Sequence, residues 1–373
     1  MSRAQIEVDL SAIAANVRKV IQESKVDVCA VVKADAYGHG LVPIAQAAND
    51  AGAKWLGVAL LEEAINLRTH GLSIPIIAWL TPITEDFDIA LRHDIDLGIS
   101  SIALLEKVLA AGERTGITPR IHVEVDTGMT RGGLLNEWPT FLKKLSAATL
   151  SEKVELVGYF SHFARADEPN EIANQHQVKK FIELLTELKA TGVTPKYLHI
   201  ANSAAALSNP SASFDFVRLG IAMYGLSPDL KTMGTSKSLG LIPAMTLRAK
   251  LHLVKQVPAG VAVGYGGSAV TTSETKVGIV AMGYADGIPR NATSATGVFI
   301  NGERAPIIGR VSMDQFVVDL GANSKVITGD EVIVFGPGNA GEYTADDWAS
   351  ASETINYEIV TRIAARVPRI YNR

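Results

Sequence analysis

The sequence predicts an α/β protein with an N-terminal (β/α)8 TIM-like barrel and a C-terminal, mostly-β domain. Three observations carry that prediction. Short apolar runs alternate with amphipathic helical stretches from about Val26 to Gly225. Beyond Pro228 the texture changes to strand-like runs separated by glycine turns. The unusual polar residues of the first half fall at the ends of its apolar runs, where a barrel gathers its functional groups.

The opening Gln5–Leu10 alternates like a strand, and Ser11 is placed to cap the helix that follows. Val26–Lys33 is short, β-branched and nearly uncharged before its terminal lysine, as a buried parallel strand is. Further barrel strands are predicted at Trp55–Ala59, Pro75–Leu80, Leu97–Ser100, Arg120–Asp126, Val154–Ser161, Tyr197–Ala201 and Phe214–Arg218. Leu61–His70, Ile102–Arg114 and Glu171–Ala190 have helical spacing and are closed by Gly71, Gly116 and Gly192. Eight βα units within about two hundred residues favour a closed barrel over a doubly wound open sheet. In the second half Met245–Val257, Lys276–Met282, Gly297–Asn301 and Glu331–Phe335 read as strands, with little helix except Ala345–Glu353.

Composition narrows the function. A chain of 373 residues, 47% hydrophobic, has room for two domains with substantial cores. A net charge of −4 argues against a polyanionic partner, so a bound phosphate needs local geometry to hold it. The single cysteine, Cys29, excludes an intrachain disulfide, suits a reducing compartment and sits in a buried run, where packing is its expected role. No apolar stretch suggests a signal peptide or a membrane span, so a soluble, cytoplasmic protein is expected, with no nucleic-acid or membrane partner.

Lys33 is the most informative residue. It lies in Ala30-Val-Val-Lys-Ala-Asp-Ala-Tyr-Gly-His-Gly40, where an apolar run becomes a glycine-bearing loop. Desolvation at a strand end lowers the pKa of a lysine and frees its amine as a nucleophile or Schiff-base former, although an isolated strand-end lysine ordinarily just reaches solvent. Other polar groups end other runs: Asp126-Thr-Gly-Met-Thr-Arg131, Ser161-His162, Asn202-Ser203 and Arg218-Leu-Gly220-Ile221. Alone, Asn202-Ser203 reads as a loop or helix cap and Arg218 as a structural ion pair. Five such groups on one rim amount to a site. His122, Glu124 and Asp126 alternate along one strand and share a face, an arrangement open to a divalent metal, but the expected count of metals is none.

The Val31-Val-Lys-Ala-Asp-Ala-Tyr-Gly-His-Gly40 segment resembles the pyridoxal-phosphate lysine segment of alanine racemases, and the resemblance runs from Gln5 to Tyr371. It implies pyridoxal 5'-phosphate as cofactor, joined through Lys33. The phosphate cradle would be Ser203 with the backbone of Gly220 and Ile221, flanked by Asn202 and the hydroxyls of Tyr37 and Tyr357. It puts Arg218 against the pyridine nitrogen. A guanidinium only donates, so this nitrogen stays unprotonated, the ring is a weaker electron sink, and reprotonation at Cα outruns transamination. Racemisation needs a base on each face of Cα. Lys33 would be one, and Tyr265 in Val263-Gly-Tyr-Gly-Gly267 the other, delivered across a homodimer interface and linked to Arg218 by His162. Arg131, Met313 and Tyr284 would contact substrate, with Asp314 in support.

By the same resemblance residues 1–10 form a strand that joins the C-terminal domain, 11–228 the cofactor-binding barrel, and 229–373 the domain with the second base. The implied activity interconverts L- and D-alanine and supplies D-alanine for peptidoglycan, in alanine-specific or broader alanine/serine form. One departure stands out. Most members have a lysine, carbamylated in several, where this chain has Glu124, which keeps the negative charge beside Arg131 on a shorter arm. A decarboxylase of similar architecture is a weaker reading, for want of its glycine-rich phosphate motif and catalytic cysteine. A non-catalytic pyridoxal-phosphate protein would resemble the barrel alone.

Overall fold

Of the chain's nine leading strands, the first, β1 (Ala4–Asp9), stands apart from the eight that follow. Those are β2 (Asp27–Val31), β3 (Trp55–Val58), β4 (Ile76–Ala78), β5 (Asp96–Ile99), β6 (Arg120–Glu124), β7 (Glu155–Phe160), β8 (Tyr197–His199) and β9 (Phe216–Leu219). The computed structural model describes residues 2–372. The chain divides into two units, one of Ile13–Ala36 with Leu41–Leu241, the other of Met1–Ala12, Tyr37–Gly40 and Ile242–Arg373.

In the first unit β2 to β8 pair in parallel in chain order, and β9 pairs with β2. The remaining seam is bridged by backbone bonds, Asp215 N–H to the Leu198 carbonyl at 3.1 Å and Arg218 N–H to that of Ala201 at 2.9 Å. This is a nearly closed eight-stranded barrel, not an open sheet. Every residue of β3, β4, β5 and β9 is buried; β3 and β4 are apolar throughout, as strands covered on both faces are, whereas β5 and β9 each bury one charged residue, Asp96 and Arg218. Most of the observed strands are shorter than the predicted runs, because apolar burial continues into the loops at their ends, as at Val32, Ile200 and Ala201. Inside the unit, glycines make room for large side chains. A Cβ on Gly57 would lie 2.3 Å from the Trp79 ring, and one on Gly158 only 1.8 Å from Nδ1 of His122. Cys29 packs with Trp55, Ile77, Val157 and Phe216, and burial pushes its thiol up to about 12, which leaves it unreactive.

Helix ends mostly follow the sequence. Gly116 closes Ile102–Thr115 at φ 70°, a left-handed conformation that glycine adopts without a Cβ penalty. The first helix, Leu10–Ser24, is a correction. It starts two residues earlier than a Ser11 cap would allow, and the Asp9 carboxylate accepts the N–H groups of Ser11 and Ala12 at 2.8 and 3.0 Å. Asp9 is the cap.

In the second unit β1 pairs antiparallel with Met245–Val257 and parallel with Arg369–Asn372. The long strand Met245–Val257 also pairs with Thr275–Val280 and Glu331–Phe335, and Gly297–Ile300 extends the sheet. The short strands Glu303–Pro306, Phe316–Asp319 and Arg369–Asn372 escape a periodicity reading, as does the six-residue helix Asn356–Thr361 that bears Tyr357. Elements this short hold too few apolar positions to show a period.

Candidate active site

Lys33 does not end its strand; it opens a turn. Ala34, Asp35, Ala36 and Tyr37 follow with φ between 52° and 54°, a run of left-handed backbone without a single glycine. Such residues cost about 1–2 kcal/mol each, so the surroundings must enforce the turn. Glu63 accepts the Ala34 N–H at 2.6 Å through one oxygen, and those of Ala59 and Leu60 at 2.9 and 3.0 Å through the other. Asp35 accepts the Leu41 N–H at 2.8 Å, and the Ala36 N–H returns to the Val32 carbonyl at 2.8 Å. The Lys33 amine makes no hydrogen bond to the described residues. Burial, then the positive charge of Arg131, hold its pKa below the ordinary lysine value.

Arg218, 5% exposed, is the hub of the barrel end. Its Nη1 donates to Nδ1 of His199 at 2.9 Å and to the His199 carbonyl at 3.2 Å. Its Nη2 donates to Nδ1 of His162 at 3.0 Å and to the carbonyls of Ser161 and Ile200 at 2.8 and 3.2 Å. The Nε–H alone has no acceptor among the described residues. Burial lowers the guanidinium to about 10, still cationic at neutral pH. Burial first, then the charge of Arg218, push His162 well below the ordinary histidine value. It is therefore neutral, with Nδ1 accepting and the proton on Nε2.

Ser203 lies buried at the start of a short helix, and its Oγ accepts the N–H groups of Gly220 at 2.9 Å and Ala222 at 3.3 Å. The Ile221 N–H between them has no acceptor among the described residues. With the flanking amides held on Ser203 Oγ, the Ile221 N–H is the one left to donate to an anion. Asn202 has another role: its side-chain oxygen caps that helix by accepting the Ala205 N–H at 3.1 Å.

Glu124 ends β6 with its carboxylate over Gly132, where an added Cβ would lie 3.1 Å from Oε2. No ion pair joins it to the exposed Arg131 among the described residues. Burial raises its pKa, while Arg218 and then Arg131 oppose the rise. The two arginines act on Glu124 through the field of the site. Its strand neighbours are otherwise engaged. His122 bonds to His199 and Asp96, and one Asp126 oxygen accepts the N–H groups of Gly128, Met129 and Thr130. No group of three or more metal-ligating side chains occurs among the described residues.

The remaining predicted residues lie in the second unit. The Tyr37 and Tyr357 rings are 6.3 Å apart, and burial pushes the Tyr37 phenol up to about 12, a proton donor rather than a base. Tyr284 and Met313 are brought side by side: the Tyr284 N–H donates to the Ser312 carbonyl at 3.0 Å and that of Ala285 to the Met313 carbonyl at 2.9 Å. The fully buried Asp286 ties this turn down, accepting from Arg3, Arg366 and the Gly283 N–H, while Arg366 reaches Asp314 at 2.7 Å. Tyr265 is 70% exposed on a loop between Gly264 and Gly266, both at positive φ. No hydrogen bond or ring contact joins Tyr265 to another predicted site residue among the described residues.

Sequence reasoning did not find Glu63, His199 or Asp96, and it read His122 only as a possible ligand. None of them stands in a motif. Each is defined by a partner far away in the chain, and the only local signal is a polar residue inside or beside a buried strand run.

Comparison with known proteins agrees with this geometry. The family model "Alanine racemase, N-terminal domain" matches residues 8–228, and "Alanine racemase, C-terminal domain" matches residues 244–371. A Salinispora tropica protein named alanine racemase is 46% identical over 100% of this chain and 99% of its own. The crystal structure of alanine racemase from Streptomyces lavendulae superposes with a TM-score of 0.98 at 46% identity, covering 100% of this chain and 98% of that one. That of Bacillus anthracis alanine racemase with bound L-Ala-P gives a TM-score of 0.89 at 38% identity, covering 100% and 96%.

Proposed function

Because this chain belongs to the alanine racemase family, we propose that it is an isomerase that interconverts L-alanine and D-alanine with pyridoxal 5'-phosphate as its cofactor. The observation that carries the reading is Arg218, a buried cation whose Nη groups are occupied by protein and whose Nε–H is left to donate. The donor set fits the cofactor: an amine of lowered pKa for its aldehyde, a lone N–H for its ring nitrogen, and, for its phosphate, the Ile221 N–H between two amides that converge on Ser203 Oγ. When bound, pyridoxal phosphate supplies the electron sink that acidifies the substrate Cα–H.

Each residue then has a defined task. Lys33 would hold the cofactor, and its Nζ would take or return the Cα proton from one face. Ser203, Gly220 and Ile221 would hold the phosphate, with hydroxyls from Tyr37 and Tyr357 and with Asn202 fixing the helix that starts at Ser203. Arg218 would donate to the ring nitrogen and keep it unprotonated, which would favour return of the proton to Cα over diversion to transamination. Tyr265 of a second copy provides the phenol oxygen on the opposite face, and His162 meets that phenol with its Nε2–H. Arg131 would bind the substrate carboxylate within the field of Glu124, and Met313 and Tyr284 of the second copy, steadied by its Asp314, would line the approach and help to hold that carboxylate. In this division of labour residues 11–228 hold the cofactor, and 229–373 with strand 1–10 carry the second base.

We further assign the enzyme to the cytoplasm, as a homodimer making D-alanine for peptidoglycan. A decarboxylase reading is disfavoured by Arg218, because decarboxylation needs a strong electron sink. A non-catalytic carrier would have no use for an exposed Tyr265. Incubation of the cofactor-loaded protein with L-alanine, L-serine or no amino acid, followed by chiral chromatography, tests the assignment. It requires D-alanine formation, faster than D-serine formation. Carbon dioxide release or an unchanged L-alanine pool would exclude it.

A further inference from the structure

The interior of a (β/α)8 barrel is ordinarily filled by layers of branched aliphatic side chains. Here a line of polar groups runs through it. Beyond Arg218, Nε2 of His199 lies 3.0 Å from Nδ1 of His122, and Nε2 of His122 lies 3.4 Å from Oδ2 of Asp96. The other Asp96 oxygen accepts from Arg120, by Nε at 2.7 Å and by Nη2. His199, His122 and Asp96 are all fully buried. Asp96 and Arg120 open β5 and β6, whereas His199 ends β8, so the line spans the strands from their first residues towards the site.

Arg218 fixes the direction of every bond. A guanidinium only donates, so Nδ1 of His199 must accept and its Nε2 must carry the proton. That Nε2–H donates to Nδ1 of His122, whose Nε2–H in turn donates to the Asp96 carboxylate. Protonation of His122 would leave His199 with no allowed proton arrangement. The rings cannot turn to evade this. His199 is stacked on Phe160 and Phe216 at centroid distances of 4.9 and 4.2 Å, and His122 meets the Trp55 edge at 5.4 Å. The space for His122 exists only because residue 158 is glycine.

We propose that Asp96, through His122 and His199, is a positioning residue that holds the Arg218 guanidinium in the one orientation that leaves its Nε–H free. The carboxylate orders the two imidazoles, and the imidazoles fix one Nη group of Arg218, with His162 and three carbonyls completing the clamp. This inference rests on the assignment of Arg218 to the cofactor's ring nitrogen. It extends that assignment to residues at the far end of the barrel.

Two measurements on the holoenzyme test it. Long-range 15N–1H correlation of 15N-histidine-labelled protein, with His199 and His122 assigned by their Gln variants, should show both neutral at pH 7.5 with the proton on Nε2. A proton on Nδ1 of His199, or a charged ring at either position, overturns the proposal whether or not Asp96→Asn folds. Asp96→Asn should lower kcat roughly tenfold with KM within about twofold, and raise transamination per racemisation event several-fold. A folded Asp96→Asn with turnover and partition both unchanged also overturns it. Arg218→Lys separates the two ideas: an unchanged partition there refutes the assignment of Arg218, whereas a changed partition there with none in Asp96→Asn refutes only the positioning by Asp96.

Discussion

Arg218 donates through Nη2 to Nδ1 of His162 at 3.0 Å, and that bond decides which nitrogen of His162 carries its proton. Because the arginine cannot accept, the histidine must, and its Nε2–H is the donor left for another group. Two imidazoles on one guanidinium, His162 and His199, are thereby held neutral.

Neutral burial has a consequence for acid stability. The folded pKa values of both histidines lie below the unfolded value near 6.5, so their contribution is complete above that pH and is lost as pH falls. Each should therefore weaken the fold progressively as pH falls below about 6.5. Denaturant unfolding of the protein should show proton uptake by this pair that rises as pH falls below about 6.5 and approaches two. His199→Gln should reduce the uptake by about one, and an unchanged pH slope would count against a neutral His199.

Lys33 is expected to be the point of cofactor attachment. Borohydride treatment of the loaded protein should fix the cofactor covalently to a peptide containing Lys33. Lys33→Ala should abolish racemisation by at least about three orders of magnitude while the circular dichroism of the fold survives. Label on any other lysine would refute the assignment.

Arg218→Glu replaces a pure donor with a group able to share a proton with the ring nitrogen. Overall turnover should fall, and the ratio of transamination to racemisation should rise. Product analysis of pyruvate against D-alanine reads this directly. A constant ratio would leave the electron-sink argument without support.

Glu124 faces Arg131 without an ion pair, so its effect should be modest. Glu124→Gln is expected to raise KM for alanine about fivefold, the equivalent of about 1 kcal/mol, with little change in kcat. Since its charge is a permanent carboxylate, added bicarbonate should not alter the activity of the unmodified protein. Stimulation by bicarbonate would point to a carbamate elsewhere.

The legible parts of this molecule were those with a local signature. Strands buried on both faces, such as Trp55–Val58 and Ile76–Ala78, are apolar throughout, and the barrel could be read from them. The segment around Lys33 carried its chemistry in ten consecutive residues. Its left-handed backbone did not show, because nothing in Ala-Asp-Ala-Tyr favours positive φ; Glu63, thirty residues away, enforces it. The line from Arg218 to Asp96 was equally hidden. It is assembled from four different strands, and each histidine taken alone looks like an ordinary core residue. The Asp9 cap was missed by two positions, a limit set by how helices begin.

The central claim is that two bases, Lys33 and Tyr265, serve opposite faces of Cα. The most direct measurement is Cα–H exchange in deuterated water by cofactor-loaded Tyr265→Ala, with L-alanine and D-alanine supplied separately. The account predicts that racemisation is lost and that solvent deuterium enters one enantiomer only, the one whose proton faces Lys33. Exchange into both enantiomers at comparable rates would mean that a single base reaches both faces, and would contradict it.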